Sequence, residues 1–200
     1  MSNAFVILLV GFLFTLFFGG LTFIRREGLS LRFATESIVI TLLFAGLSFF
    51  LNLQIEPILF LLLVYIITMR VRILVDFANT LARRKNFPLA SQLYQIARKV
   101  WPDRTNSLII DVNQGTALIQ QEKIDEAISL LKTILAQSEQ CFLGIKYETA
   151  THYNLGVAFQ KKNLPALAEK EFEEVIEIWP GSVYARFADS AIKRIKTPKE

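Results

Sequence analysis

Residues 147 to 180 read YETATHYNLGVAFQKKNLPALAEKEFEEVIEIWP. Two amphipathic stretches, residues 148 to 161 and 166 to 178, are separated by Asn163, Leu164 and Pro165 and closed by Pro180. Proline fits the first turn of a helix and breaks an interior, so the segment predicts two helices joined by a tight turn. Gly156 and Ala168 stand 12 residues apart. In an antiparallel pair that spacing sets both small residues where the helices cross most closely, with Phe159, Phe172 and Val175 filling the space beside them.

The same offsets recur twice upstream, as Ala78, Leu81, Ala90, Tyr94, Ala97 and Pro102, and as Gly115, Leu118, Ala127, Leu131 and Ile134. A unit repeated in one register predicts stacked hairpins. With Tyr153, Asn154, Leu155, Gly156, Phe159, Ala168, Phe172 and Pro180, the pattern resembles the tetratricopeptide repeat, a helix-turn-helix unit of about 34 residues. The second unit departs from it by carrying Glu139 where the others have proline. The spacings from Ala90 to Ala127 (37) and from Ala127 to Ala168 (41) place extra residues in the turns near 103 to 107 and 140 to 147. The resemblance covers residues 71 onward and says nothing specific about residues 1 to 70.

Composition divides the chain at the same place. Residues 1 to 69 hold three Arg, three acids and no Lys, so the formal +4 belongs to the remainder, where it is dispersed over amphipathic helices. No basic stripe with exposed aromatics is present, so no nucleic acid is expected as a partner. The single Cys141 can form no internal disulfide.

Residues 4 to 24 carry no charge and make about 31 Å of helix, the thickness of a bilayer's hydrocarbon. No positive leader segment or small-residue cleavage site accompanies them, so an uncleaved span is predicted. The apolar region 37 to 69 is broken in the middle by Asn52, Gln54, Glu56 and Pro57. Two short spans at 37 to 53 and 57 to 74, one tilted and kinked helix, or a re-entrant hairpin would each fit. Charge favours the two spans. Arg25, Arg26 and Arg32 mark one loop and Arg70, Arg72, Arg83, Arg84 and Lys85 a second, while residues 52 to 56 hold no cation. Three crossings put both basic clusters on the cytoplasmic side. Arg70 and Arg72 are expected to snorkel to lipid headgroups, and Arg83, Arg84 and Lys85 to lie near enough to touch them. Gly11, Thr15 and Gly19, and Ser37, Thr41 and Ala45, recur at every fourth position and predict faces for close helix approach, to each other or to a partner.

The expected fold is all-α: a transmembrane region at 1 to 70, three repeats at about 71 to 104, 108 to 141 and 149 to 182, and a capping helix at 183 to 196. Packing inside the repeats falls to Ala78, Ala90, Tyr94, Gly115, Ala127, Leu131, Gly156, Phe159, Ala168, Phe172 and Pro180. The third span is expected to run on into the first repeat, because Ile73, Leu74, Phe77, Ala78 and Leu81 keep one apolar face.

No catalytic constellation emerges, and no cofactor, metal or small-molecule substrate is expected. His152 is the only histidine and reads as a packing residue; Asp125, Glu126, Glu173 and Glu174 read as solvated charges. The resemblance instead implies a groove lined by the first helices of successive repeats. Transferred onto this sequence, the groove residues are Val75, Asn79, Val112, Asn113, Thr116, Gln120, Tyr153, Asn154 and Lys161. Asn79, Asn113 and Asn154 stand out, because an amide donates to and accepts from a peptide backbone at once. Val75, Ala150 and Asn154 stand where carboxylate-binding members carry basic residues, so such a clamp is not expected. Val75, Val112 and Tyr153 point to a mainly apolar ligand.

The sequence therefore reads as a non-enzymatic integral protein of an inner or plasma membrane with cytoplasmic repeats. Its expected role is adaptor or assembly scaffold for a protein or peptide partner, in contact with membrane lipids. The alternative is a structural subunit or assembly factor of a membrane complex that works through its spans; some photosynthetic assembly proteins resemble that arrangement.

Overall fold

The computed structural model describes residues 2–27, 30–138 and 143–197; Glu139 and Cys141 lie outside the described residues. Among the described residues the chain is helical throughout and has no strand. In order come α1 (Asn3–Ile24), α2 (Leu31–Phe50), α3 (Pro57–Arg83), α4 (Phe87–Lys99), α5 (Arg104–Gln120), α6 (Ile124–Ser138), α7 (Ile145–Lys161), α8 (Pro165–Ile178) and α9 (Val183–Lys196). The starts are written locally. Ser2, Ser30, Asn86, Asp103 and Ser182 each accept a hydrogen bond from the amide three residues on, and α3, α4 and α8 carry proline in the first turn.

Helices α1, α2 and α3 are long and apolar enough to cross a membrane by length and composition. They pack on one another around Ile7, Phe14, Ala45, Phe60 and Val64, with most of their outer apolar side chains exposed. Gly11 lies directly against Thr41, and the Thr15 and Ser37 hydroxyls are 2.7 Å apart. Gly19, placed on the same stripe by its spacing, has open space where a Cβ would stand. At one end, Asn3 donates to the Ile55 carbonyl (3.0 Å) and accepts from the Ile55 amide (3.0 Å) and the Ser48 hydroxyl (2.8 Å). That end holds the residues 51 to 56; the other end holds the α1–α2 turn.

One helix boundary differs from the expected one. Helix α2 starts at Leu31 rather than residue 37, because Ser30 caps it and the Arg32–Glu36 pair is satisfied along its first turns. The expected continuity is present: Pro57–Arg83 is one unbroken helix of 27 residues that carries both the third apolar run and Ile73, Leu74, Phe77, Ala78 and Leu81. Helix α3 ends at Arg83, about 20 Å along its axis from Met69, and Arg84 and Lys85 stand in the turn that follows.

The helices α3 to α8 form three hairpins of one build, α3 with α4, α5 with α6 and α7 with α8, and α9 packs on α8 and α7. In each, a small residue opens the crossing and a large one 16 positions on fills it: Ala78 and Tyr94, Gly115 and Leu131, Gly156 and Phe172, all buried. A Cβ on Gly156 would stand 2.7 Å from the Phe172 ring, and one on Gly115 2.8 Å from Leu131. The turns match as well. Lys85, Glu122 and Asn163 all have positive φ (61°, 59° and 58°), and the residue after each donates its amide back to Leu81, Leu118 and Phe159. This is the left-handed helix stop that satisfies otherwise unpaired carbonyls. Ala90, Ala127, Ala168 and Phe159 are buried between the paired helices, and Pro180 follows the end of α8.

Candidate functional site

Stacking of the hairpins sets α3, α5 and α7 side by side, and their shared face is concave. A cavity of about 340 Å³ on that face is lined by Val75, Asn79, Val112, Asn113, Thr116 and Asn154, together with Asp76, Arg83, Lys146, Tyr147, Ala150 and Tyr184. Its amides form a linked series. The Tyr94 hydroxyl donates to Asn79 Oδ1 (2.6 Å), Asn79 Nδ2 donates to Asn113 Oδ1 (2.8 Å), and Asn113 Nδ2 donates to the Ile109 carbonyl (2.7 Å). One hairpin further on, Asn154 Nδ2 donates to Thr116 Oγ1 (2.8 Å), and that hydroxyl donates to the Val112 carbonyl (3.0 Å). Burial pushes the Tyr94 hydroxyl up to about 12, which keeps it a donor. The side-chain bonds fix the amide planes, and each amide has more donor and acceptor sites than these bonds use.

Three of the sequence-placed residues lie apart from this cavity. Tyr153 turns toward α8 and α9, 5.8 Å from the Phe172 ring and 5.5 Å from the Tyr184 ring. Lys161 Nζ reaches Glu122 (2.7 Å) at the hairpin turns, and Gln120 lies at that same end of α5. Val75 and Val112 line the cavity from the core, at 3% exposure each, and most of the other lining residues are polar or charged. His152 hydrogen-bonds Glu171 across the α7–α8 pair (2.8 Å), which makes it part of the hairpin packing.

A second cavity of about 310 Å³ adjoins the first and shares Val75, Asp76, Lys146 and Tyr147 with it. Phe18, Leu21, Tyr65 and Met69 wall it on the side of the apolar helices; Arg25, Glu27 and Arg72 wall it on the other. Glu27 is its fixed point. Its carboxylate is almost fully buried, pairs with Arg72 and accepts from Lys146 Nζ at 2.7 Å, while the Lys146 amide donates to the Arg26 carbonyl (3.1 Å). Burial alone raises this carboxyl, but Lys146 and Arg72 outweigh it and hold the group below its ordinary value of 4.5. Arg70 binds Glu36 (2.5 and 2.9 Å) and the Val100 carbonyl (2.8 Å). Both arginines therefore have protein partners, Arg70 in Glu36 and the Val100 carbonyl and Arg72 in Glu27.

The sequence did not single out Glu27, Lys146, Asp76, Tyr147 or Tyr184, and named Ala150 only as a slot where carboxylate-binding members are basic. Spacing offered a signal for some: Asp76 is three residues before Asn79, and Ala150 four before Asn154, so each pair shares a helix face. Among the described residues no three His, Cys, Asp or Glu gather as a metal site. The arrangement offers recognition: fixed amides and charges of both signs along a concave face.

Over 128 residues, 63% of its length, the chain is 30% identical to the tetratricopeptide repeat domain-containing protein PYG7, chloroplastic, of Arabidopsis thaliana, and it spans 40% of that relative's length. No family model and no solved structure matches it. The chain is thus similar to a repeat protein in the part of its sequence that aligns.

Proposed function

We propose that this chain is a membrane-anchored adaptor or assembly scaffold of the tetratricopeptide-repeat type. Residues 1 to 70 form the membrane region, with α1, α2 and the first part of α3 crossing the bilayer. Residues 71 to 182 form three repeats, and α9 caps them. The repeats face the cytoplasm: Arg25, Arg26, Arg32, Arg70 and Arg72 gather at the end of the bundle that meets the hairpins, and the end held by Asn3 has no cation. The relative's repeat domain supports a non-enzymatic, protein-binding role.

One observation carries the reading. Helix α3 belongs at once to the apolar bundle and to the amide-lined groove, and the Glu27 pairs lock the two together. A partner segment held along the groove is thereby fixed at a set height above the bilayer, where confinement raises its effective concentration. Such a segment is extended and largely polar. The mechanism is binding alone.

The test uses a photo-crosslinking side chain at Ala150, in the groove, or at Gly19, on the open face of α1, in native membranes. An adduct from position 150 that disappears with Asn113→Ala and Asn154→Ala supports the groove. Adducts from position 19 alone overturn it in favour of a subunit working through its spans. Topology is read with single cysteines at Ser2, Gln54 and Ser190 in a Cys141→Ser background; labelling of Ser190 by an impermeant reagent in intact cells contradicts cytoplasmic repeats.

A further inference from the structure

The chain contains two tryptophans, and the fold brings both to the end of the apolar bundle that meets the hairpins. Trp101, in the α4–α5 turn, is 75% exposed. Trp179, at the end of α8, lies under the Arg26 guanidinium at 5.3 Å. The level of Trp101 is set by its neighbours: Arg70, where the apolar part of α3 ends, donates to the Val100 carbonyl (2.8 Å) and to the Trp101 carbonyl (3.4 Å). Two residues on, Asp103 accepts from Ser30, the cap of α2. Trp101 also has a φ of 52°, a left-handed backbone that bulky residues rarely adopt. Two side chains from the bundle thus hold the turn in a conformation that presents an indole outward.

We propose that the α4–α5 turn is a lipid-contacting edge, in which Trp101 enters the headgroup layer and sets the tilt of the repeats on the bilayer. This rests on the membrane-crossing reading above. An indole, apolar in body with one polar N–H, is the side chain that favours the membrane–water boundary. Lys99 lies two residues before it, and its charge suits anionic headgroups. The occupant is therefore the lipid surface. The ring stands beside Arg70 and Ser30, next to the apolar stretches of α3 and α2, where a lipid surface would lie on the membrane-crossing reading.

The experiment uses the full chain in vesicles of mixed phosphatidylcholine and phosphatidylglycerol. Trp179→Phe leaves Trp101 as the sole indole, and lipids spin-labelled near the headgroup or deep in the acyl chain serve as quenchers. Quenching at least twofold stronger by the shallow label, with little quenching by aqueous iodide, is the expected result. Strong iodide quenching with no response to either lipid label overturns the proposal. A control, Phe12→Trp in a Trp101→Phe, Trp179→Phe background, reports on the α1 span. If this control responds to the deep label while Trp101 reads as aqueous, the lipid edge fails and the spans stand; if the control also reads as aqueous, both fail.

Discussion

Replacing Glu27 by Gln tests how the two halves of the chain are joined. The substitution keeps shape and removes the charge that Arg72 and Lys146 share. A charge-assisted hydrogen bond to a desolvated partner contributes about 1.5 to 3 kcal/mol. Here the carboxylate is 3% exposed but the Arg72 and Lys146 side chains are 22% and 37% exposed, so water relieves both cations once the charge is gone. Screening brings the expected loss for the two bonds together to about 2 kcal/mol. The local reporter is the Lys146 amide, bonded to the Arg26 carbonyl. Its hydrogen exchange, measured on the full chain in lipid nanodiscs, should accelerate about thirty-fold, since 1.4 kcal/mol is a factor of ten. The sign with pH follows from the lowered carboxyl. Its stabilisation is complete above the unfolded value of 4.5 and is lost as pH falls through the lower folded value, so parent and variant should converge in acid. An unchanged exchange rate at Lys146 in the variant, or an equal acceleration at the distant Asn163 turn, would refute the brace.

Three other outcomes follow from the packing. Gly156→Leu should cost about 1 to 3 kcal/mol by thermal denaturation, because even a Cβ there meets the buried Phe172 ring; a variant as stable as the parent contradicts the tight crossing. Tyr94→Phe strips Asn79 of a donor at 2.6 Å and should cost about 1 kcal/mol, and a groove that still binds its partner equally well would show that the fixed amide plane is unimportant. Lys162→Ala, which breaks an exposed pair with Asp125, should move stability by less than about 0.5 kcal/mol in the same assay.

Much of the architecture was written locally. First-turn prolines and uncharged apolar runs act within a few residues, so the apolar runs could be read without knowing their neighbours, whereas apolarity alone sets the start of α2 at residue 37, past its Ser30 cap. The small and large residues spaced alike in three hairpins were equally plain, since register along a helix is fixed by its period. What the sequence left undecided were matters of distance between segments. Nothing in a string of residues says that Glu27 meets Lys146, 119 positions away, or that Arg70 pairs with Glu36 and Arg72 with Glu27. Charge and spacing place a side chain on a face; whether that face meets water, lipid or another helix depends on how the helices stack. For the same reason the deep burial of Val75 and Val112 at the base of the groove, among mainly polar neighbours, was not legible. Sequence alone determined which residues share a helix face; only the tertiary structure decided what each face meets, because burial and ion pairing arise between elements that the chain brings together after they have formed.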